Sequence, residues 1–145
     1  MTVDYRSLVY ALLSAVAASF VAVFGKAGLQ GIDVNAATAI RSCIMALFLI
    51  GVVAVQGHWQ RLQDVFASGR SLFFICVSGL AGALSWLFYF MALKHGKVAQ
   101  VAPIDKLSVV FATLFAVLFL GEKISAMGTL GVFLIAAGAI LVALG

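Results

Sequence analysis

The chain has 145 residues, 65% of them apolar and 10% charged, with a mean hydropathy of +1.21. Soluble domains run at about 45–50% apolar and about 25% charged, and a domain of this size keeps roughly a third of its unfolded surface in water. A soluble enzyme, a nucleic-acid-binding domain and a disordered regulator are therefore excluded. The net charge of +4 implies no nucleic-acid partner, because the basic residues lie mostly between apolar runs, where lipid headgroups answer them.

Five apolar segments follow in order, at 7–25, 37–56, 71–93, 100–120 and 124–144. A helix rises about 1.5 Å per residue and the hydrocarbon layer is about 30 Å thick, so about 20 residues suffice to cross. The runs are too long, and lack the alternation, for barrel strands. The expected fold is an all-α membrane protein of five transmembrane helices in one domain covering 1–145. Its short connections leave no stretch within the chain for a soluble domain.

The first segment reads as a span rather than a cleaved signal, because its apolar run continues past Ala15–Val16–Ala17 to Phe24. Ala11, Ala15, Ala18, Ala22 and Gly25 line one of its faces at helical spacing. Small residues allow the close approach that packs helices in lipid. Lys26 marks the end of this segment, at a cavity mouth or at headgroup level.

The second segment is uncharged only from Ser42 to Val55, 14 residues or about 21 Å of helix. It must draw Arg41 into the membrane to span. Trp59, in the following loop, reads as an interfacial anchor. The third segment carries Ser78 and Gly82 four apart and ends in the run from Trp86 to Phe90. Trp86 and Tyr89 share a face; Trp86 is a candidate pocket wall and Tyr89 an anchor.

The fourth segment repeats the deficit, with Leu107 to Leu120 again 14 residues, and draws in Asp105 and Lys106. Pro103 begins or breaks this helix, having no amide proton to donate and disfavouring helix at Ala102. Adjacent helical residues point about 100° apart, so Asp105 and Lys106 are expected not to pair with each other. Arg41 is then a natural partner for Asp105, leaving Lys106 to face a cavity or an anion; the alternative is that Arg41 and Lys106 reach headgroups on their long stems. The candidate cavity residues are Arg41, Asp105, Lys106 and Trp86.

A tight turn at Gly121–Glu122–Lys123 leads to the fifth segment, with Glu122 expected to satisfy its first amides. Gly131 and Gly138 form a stripe in that last, least polar segment, and it is the expected contact with a second subunit. Cys43 and Cys76 lie inside apolar runs and read as small buried hydrophobes; His58 and His95 are isolated. No metal and no cofactor is expected. No histidine, serine and carboxylate constellation gathers at one depth, so no enzyme is expected, and no phosphate-loop motif supports ATP-driven transport.

An odd number of spans puts the termini on opposite sides. Loop charges divide as Arg6, Arg61, Arg70 and Lys123 against Lys26, Lys94 and Lys97, four against three. Counting Arg41 and Lys106 turns this to four against five. Positive charge sets orientation, and the bias here is close to nil, so both insertion directions are open.

Three features together resemble the EamA domain of the drug/metabolite transporter superfamily: Arg41 after an alanine-rich helix start, YFMAL from Tyr89, and LFLGEKIS from Leu118 before a glycine-rich last helix. The stretch GKVAQVAPIDKLSVV, Gly96 to Val110, is similar to small bacterial and archaeal members with a single five-helix unit. Most of the superfamily carries two such units in inverted orientation, giving ten helices around a central cavity. With one unit, the resemblance implies a homodimer, antiparallel if the inverted arrangement is kept, or a heterodimer with a related subunit. It implies a secondary transporter of a small metabolite or drug-like solute in the cytoplasmic (inner) membrane, working by alternating access among membrane lipids. Rival expectations are a non-transporting scaffold or regulatory subunit and a subunit of a lipid-linked sugar flippase.

Overall fold

The computed structural model describes residues 5–145, and among these every regular element is helical. Seven helices occur: α1 (Tyr5–Gly28), α2 (Val34–Val55), α3 (Trp59–Ala67), α4 (Gly69–His95), α5 (Val98–Asp105), α6 (Leu107–Leu120) and α7 (Ala126–Leu144). Five stretches are long and apolar enough to cross a membrane: α1, α2, α4, α5 with α6 as one run of 23 residues, and α7. The five expected spans are present; Arg41 lies within α2 and Asp105 ends α5, while Lys106 separates α5 from α6. α2 has 22 residues, about 33 Å of helix, and attains that length only by including Arg41.

Local chemistry sets the helix ends. Asp33 caps α2 in an extended conformation (φ −68°, ψ 132°), its Oδ1 accepting from the Ala36 amide at 2.9 Å. This cap starts α2 at Val34, three residues ahead of the expected boundary. α6 stops at Gly121, whose φ of +67° lets the chain turn in the left-handed region. The Gly121 and Glu122 amides both donate to Ala116 O, the latter at 3.2 Å, closing the turn on the last carbonyls of α6. At the start of α7, Ser125 Oγ accepts from the Gly128 amide at 3.1 Å. Ser125 thus does the work expected of Glu122, because a side chain at the cap position reaches the third amide directly and one three residues earlier does not.

α3 departs from the expected loop. Trp59, Leu62, Val65 and Phe66 recur at helical spacing, while Gln60, Arg61, Gln63 and Asp64 fill the other side. Its apolar residues are exposed or half-buried in the chain, with Trp59 and Phe66 both outward. Nine residues are too few to span, and this amphipathic pattern suits a helix lying at the membrane surface.

The chain divides into two compact units, Gly28–Lys94 and Met1–Ala27 with His95–Gly145. In the first, the buried residues are Leu29 in the turn before α2, Val34 and Thr38 at the start of α2, and Phe90 and Leu93 at the end of α4. Lys94 Nζ donates to Ile32 O at 3.4 Å and holds those two ends together. In the second, α7 packs against α5 and α6. Its inward stripe is Val132, Ala136, Ala139 and Ala143, with Ala139 only 6% exposed. Gly131 is half-buried at the margin of this stripe and Gly138 is exposed. Lys26 Nζ donates a hydrogen bond to Gly96 O at 2.9 Å, satisfying a carbonyl just past α4.

Large apolar side chains otherwise point outward along every span, among them Leu47, Phe48, Phe119 and Leu141, each 70% exposed or more. In water this surface would aggregate; in lipid it costs nothing. Cys43 and Cys76 are exposed free thiols on α2 and α4, not buried as expected. A single five-helix chain has too little interior to enclose them. Hydroxyls within the spans turn inward on their own helices: Thr38, Ser42 and Thr113 each donate to the carbonyl four residues back.

Candidate functional site

Arg41 stands seven residues inside α2, about 10 Å from its first turn. Trp86 stands nine residues before the end of α4, about 13 Å in from that end. The link between Lys94 and Ile32 brings those helix ends together, so the two residues lie at similar depth. The Arg41 guanidinium carbon is 3.7 Å from the centroid of the Trp86 ring and 5.4 Å from that of Phe90. Two of the expected cavity residues are therefore direct neighbours.

The shelf under the guanidinium is aromatic and self-supporting. Trp86, Tyr89 and Phe90 share a face of α4 at i, i+3 and i+4 spacing. Trp86 meets Tyr89 edge-on at 5.7 Å and Phe90 at 5.8 Å between centroids. These are the edge-to-face arrangements that the aromatic quadrupole favours. Phe90 is 3% exposed and fixes the cluster to the packed end of the unit. Tyr89 is half-buried and belongs to this shelf.

Within its own unit the partner of Arg41 is Trp86: the cation lies over the indole, where the ring's negative quadrupole attracts it. The two acidic residues of this unit, Asp33 and Asp64, are placed elsewhere, one capping α2 and one on α3.

Asp105 and Lys106 occupy the break between α5 and α6. Lys106 Nζ lies 3.1 Å from Asp105 Oδ2, so the neighbours pair after all. The expectation that they diverge assumed a continuous helix. Here the chain leaves the α ladder: Lys106 N donates to Pro103 O at 3.1 Å and Val109 N to Lys106 O at 3.0 Å, both one residue short of α spacing. Pro103 withdraws its own donor inside α5, and the helix gives way three residues later. Both side chains keep substantial exposure, 33% for Asp105 and 56% for Lys106.

A shallow groove of about 360 Å³ opens beside the α6–α7 turn, bordered by Thr113, Ala116, Glu122 and Lys123. Reading from sequence placed no cavity there; the αL turn at Gly121 creates it, and turn geometry leaves little trace in hydropathy. Among the described residues no group of three or more histidine, cysteine or carboxylate side chains could hold a metal ion.

Five apolar stretches long enough to cross a membrane, two of them with ionic groups inside, mark a multi-pass membrane protein. Residues 6–144 match the EamA-like transporter family, and the chain belongs to it. A protein of Sinorhizobium sp described as an uncharacterized transporter in the cobO 3′ region is 48% identical over 134 residues, covering 92% of this chain and 94% of that one. No solved structure matches. Family membership and the name of this relative point to a transporter rather than an enzyme.

Proposed function

We propose that the chain is a secondary transporter of a small metabolite or drug-like solute, working by alternating access as an oligomer in the cytoplasmic membrane. The observation that carries this reading is the arginine inside α2, held on an aromatic shelf with no carboxylate of its own unit beside it. An arginine at the centre of a span costs about 2.5–3.5 kcal/mol on insertion scales. A family of lipid-facing helices has no structural need for such a residue, whereas a solute pathway does. The helix break at Asp105 and Lys106 supports the same reading, since interrupted spans bearing ionic groups are how transporters build binding sites.

In this proposal Arg41 and Trp86 form one wall of the pathway. Five spans place the termini on opposite membrane faces. A ten-helix inverted assembly then needs two chains inserted oppositely, which the near-equal loop charges permit. The outward faces of all five spans leave ample apolar surface for a second copy.

Two experiments test this. The purified chain, reconstituted alone into liposomes, should move solutes from a mixed panel when a pH gradient is imposed. Lack of any flux, with stable co-purification of another membrane protein, would transfer the chain to a scaffold role. C-terminal reporters active on opposite sides should both give signal; activity on one side alone would remove the antiparallel arrangement.

A further inference from the structure

We propose that Arg41, seated on Trp86, is a carboxylate-recognition point, and that the solute is a small organic carboxylate with an apolar body. The inference rests on the transporter reading for its occupant and on geometry for its place. A guanidinium stacked on a ring uses only its flat face. Its five N–H donors lie in the plane of the group and stay available at its edge. Within residues 28–94 nothing occupies them: no hydrogen bond or ion pair to Arg41 occurs there, Asp33 is engaged at the α2 cap, and Asp64 lies on α3. The flanking hydroxyls of Thr38 and Ser42 donate back into their own helix.

The shelf decides the class of ligand. Stacking on Trp86, with Phe90 behind, limits the rotation of the fork, so its paired N–H groups present a fixed edge. Such an edge matches the two oxygens of a carboxylate. A lone inorganic anion would gain nothing from the exposed parts of the half-buried Trp86 and Tyr89 side chains, whereas the carbon skeleton of an organic acid would pack against them. Binding also neutralises a cation that its unit otherwise leaves uncompensated inside a span.

The test uses the full chain in detergent and in phosphatidylcholine liposomes, with Trp59→Phe making Trp86 the one remaining tryptophan. Phenylacetate, benzoate and succinate are titrated against Trp86 emission, beside phenylacetamide, benzylamine and inorganic phosphate. The aromatic carboxylates should give saturable changes. The amide and the amine should not, and Arg41→Gln should abolish the response. Arg41→Lys, which keeps the charge and removes the fork, should weaken binding at least about tenfold, and it keeps the test decisive if the glutamine variant fails to fold. An equal response in Arg41→Gln, no saturable response to any carboxylate, or a stronger response to phosphate would overturn the assignment. So would a response satisfied by phosphatidylglycerol in the vesicles in place of the acids, which would assign Arg41 to a lipid headgroup. Carboxylate binding without flux would retain this site and remove the transporter reading. Flux of neutral or cationic solutes unaffected by Arg41→Gln would do the reverse.

Discussion

The Arg41 guanidinium carbon sits over the Trp86 ring, 3.7 Å from its centroid, joining α2 to α4 across the end of the unit where Phe90 and Leu93 are buried. A cation on an aromatic face contributes about 0.5–1 kcal/mol when exposed and about 2 kcal/mol when desolvated. Replacing Trp86→Leu keeps apolar volume and removes the ring. It should destabilise the chain by about 1–2 kcal/mol in denaturant titrations of the detergent-solubilised protein followed by circular dichroism. Trp59→Leu on α3 should change the same midpoint little, since that ring is exposed.

The pair formed by Asp105 and Lys106 is partly exposed, and exposed pairs contribute about 0–1 kcal/mol. Asp105→Asn should therefore leave the unfolding midpoint almost unmoved while lowering flux in liposomes. A large loss of stability with flux preserved would make the pair a structural clasp at the helix break.

α7 offers a cleaner test of assembly. A Cβ added at Gly131 or Gly138 meets no atom within 4 Å in the chain. The double change Gly131→Ala, Gly138→Ala should leave the monomer folded, with unchanged helicity. If the stripe meets a second copy, the same variant should lose crosslinked dimer in membranes, because small residues set the approach distance. Retention of full crosslinking would move the interface to another span.

The cap at Asp33 makes a further prediction. Asp33→Ala removes the acceptor for the Ala36 amide and should cost about 1 kcal/mol, while Asp33→Asn, an equally good cap, should keep most of it. Because the α2 start belongs to the same packed end as Arg41, Asp33→Ala should also raise hydrogen exchange at Val34 to Thr38.

How much was legible before the coordinates depended on whether a feature is local. The short uncharged runs at 42–55 and 107–120 required Arg41, Asp105 and Lys106 inside the spans; α2 does extend through Arg41 and α5 reaches Asp105, while Lys106 falls in the break before α6. α3 escaped notice although its signal was present: Trp59, Leu62, Val65 and Phe66 recur at helical spacing, in a stretch too short and too polar to stand out by hydropathy. The Ser125 cap was equally readable, as serine ahead of an apolar run, but Glu122 drew attention as the more charged group. The pairing of Asp105 with Lys106 was misjudged because the 100° offset holds only where the helix is continuous, and Pro103 had already given notice of a break.

Composition and residue order alone determined that this is a multi-pass membrane protein with five spans, of a transporter family, carrying ionic groups where lipid would otherwise be. Hydropathy and span length add up along contiguous residues, so a chain written in one dimension contains them in full. The tertiary structure decided whom those charges meet: an indole for Arg41, the next residue for Asp105, a backbone carbonyl for Lys26. Such partners depend on helix register, on turns such as Gly121 and on ring orientation, quantities set by packing between segments distant in sequence.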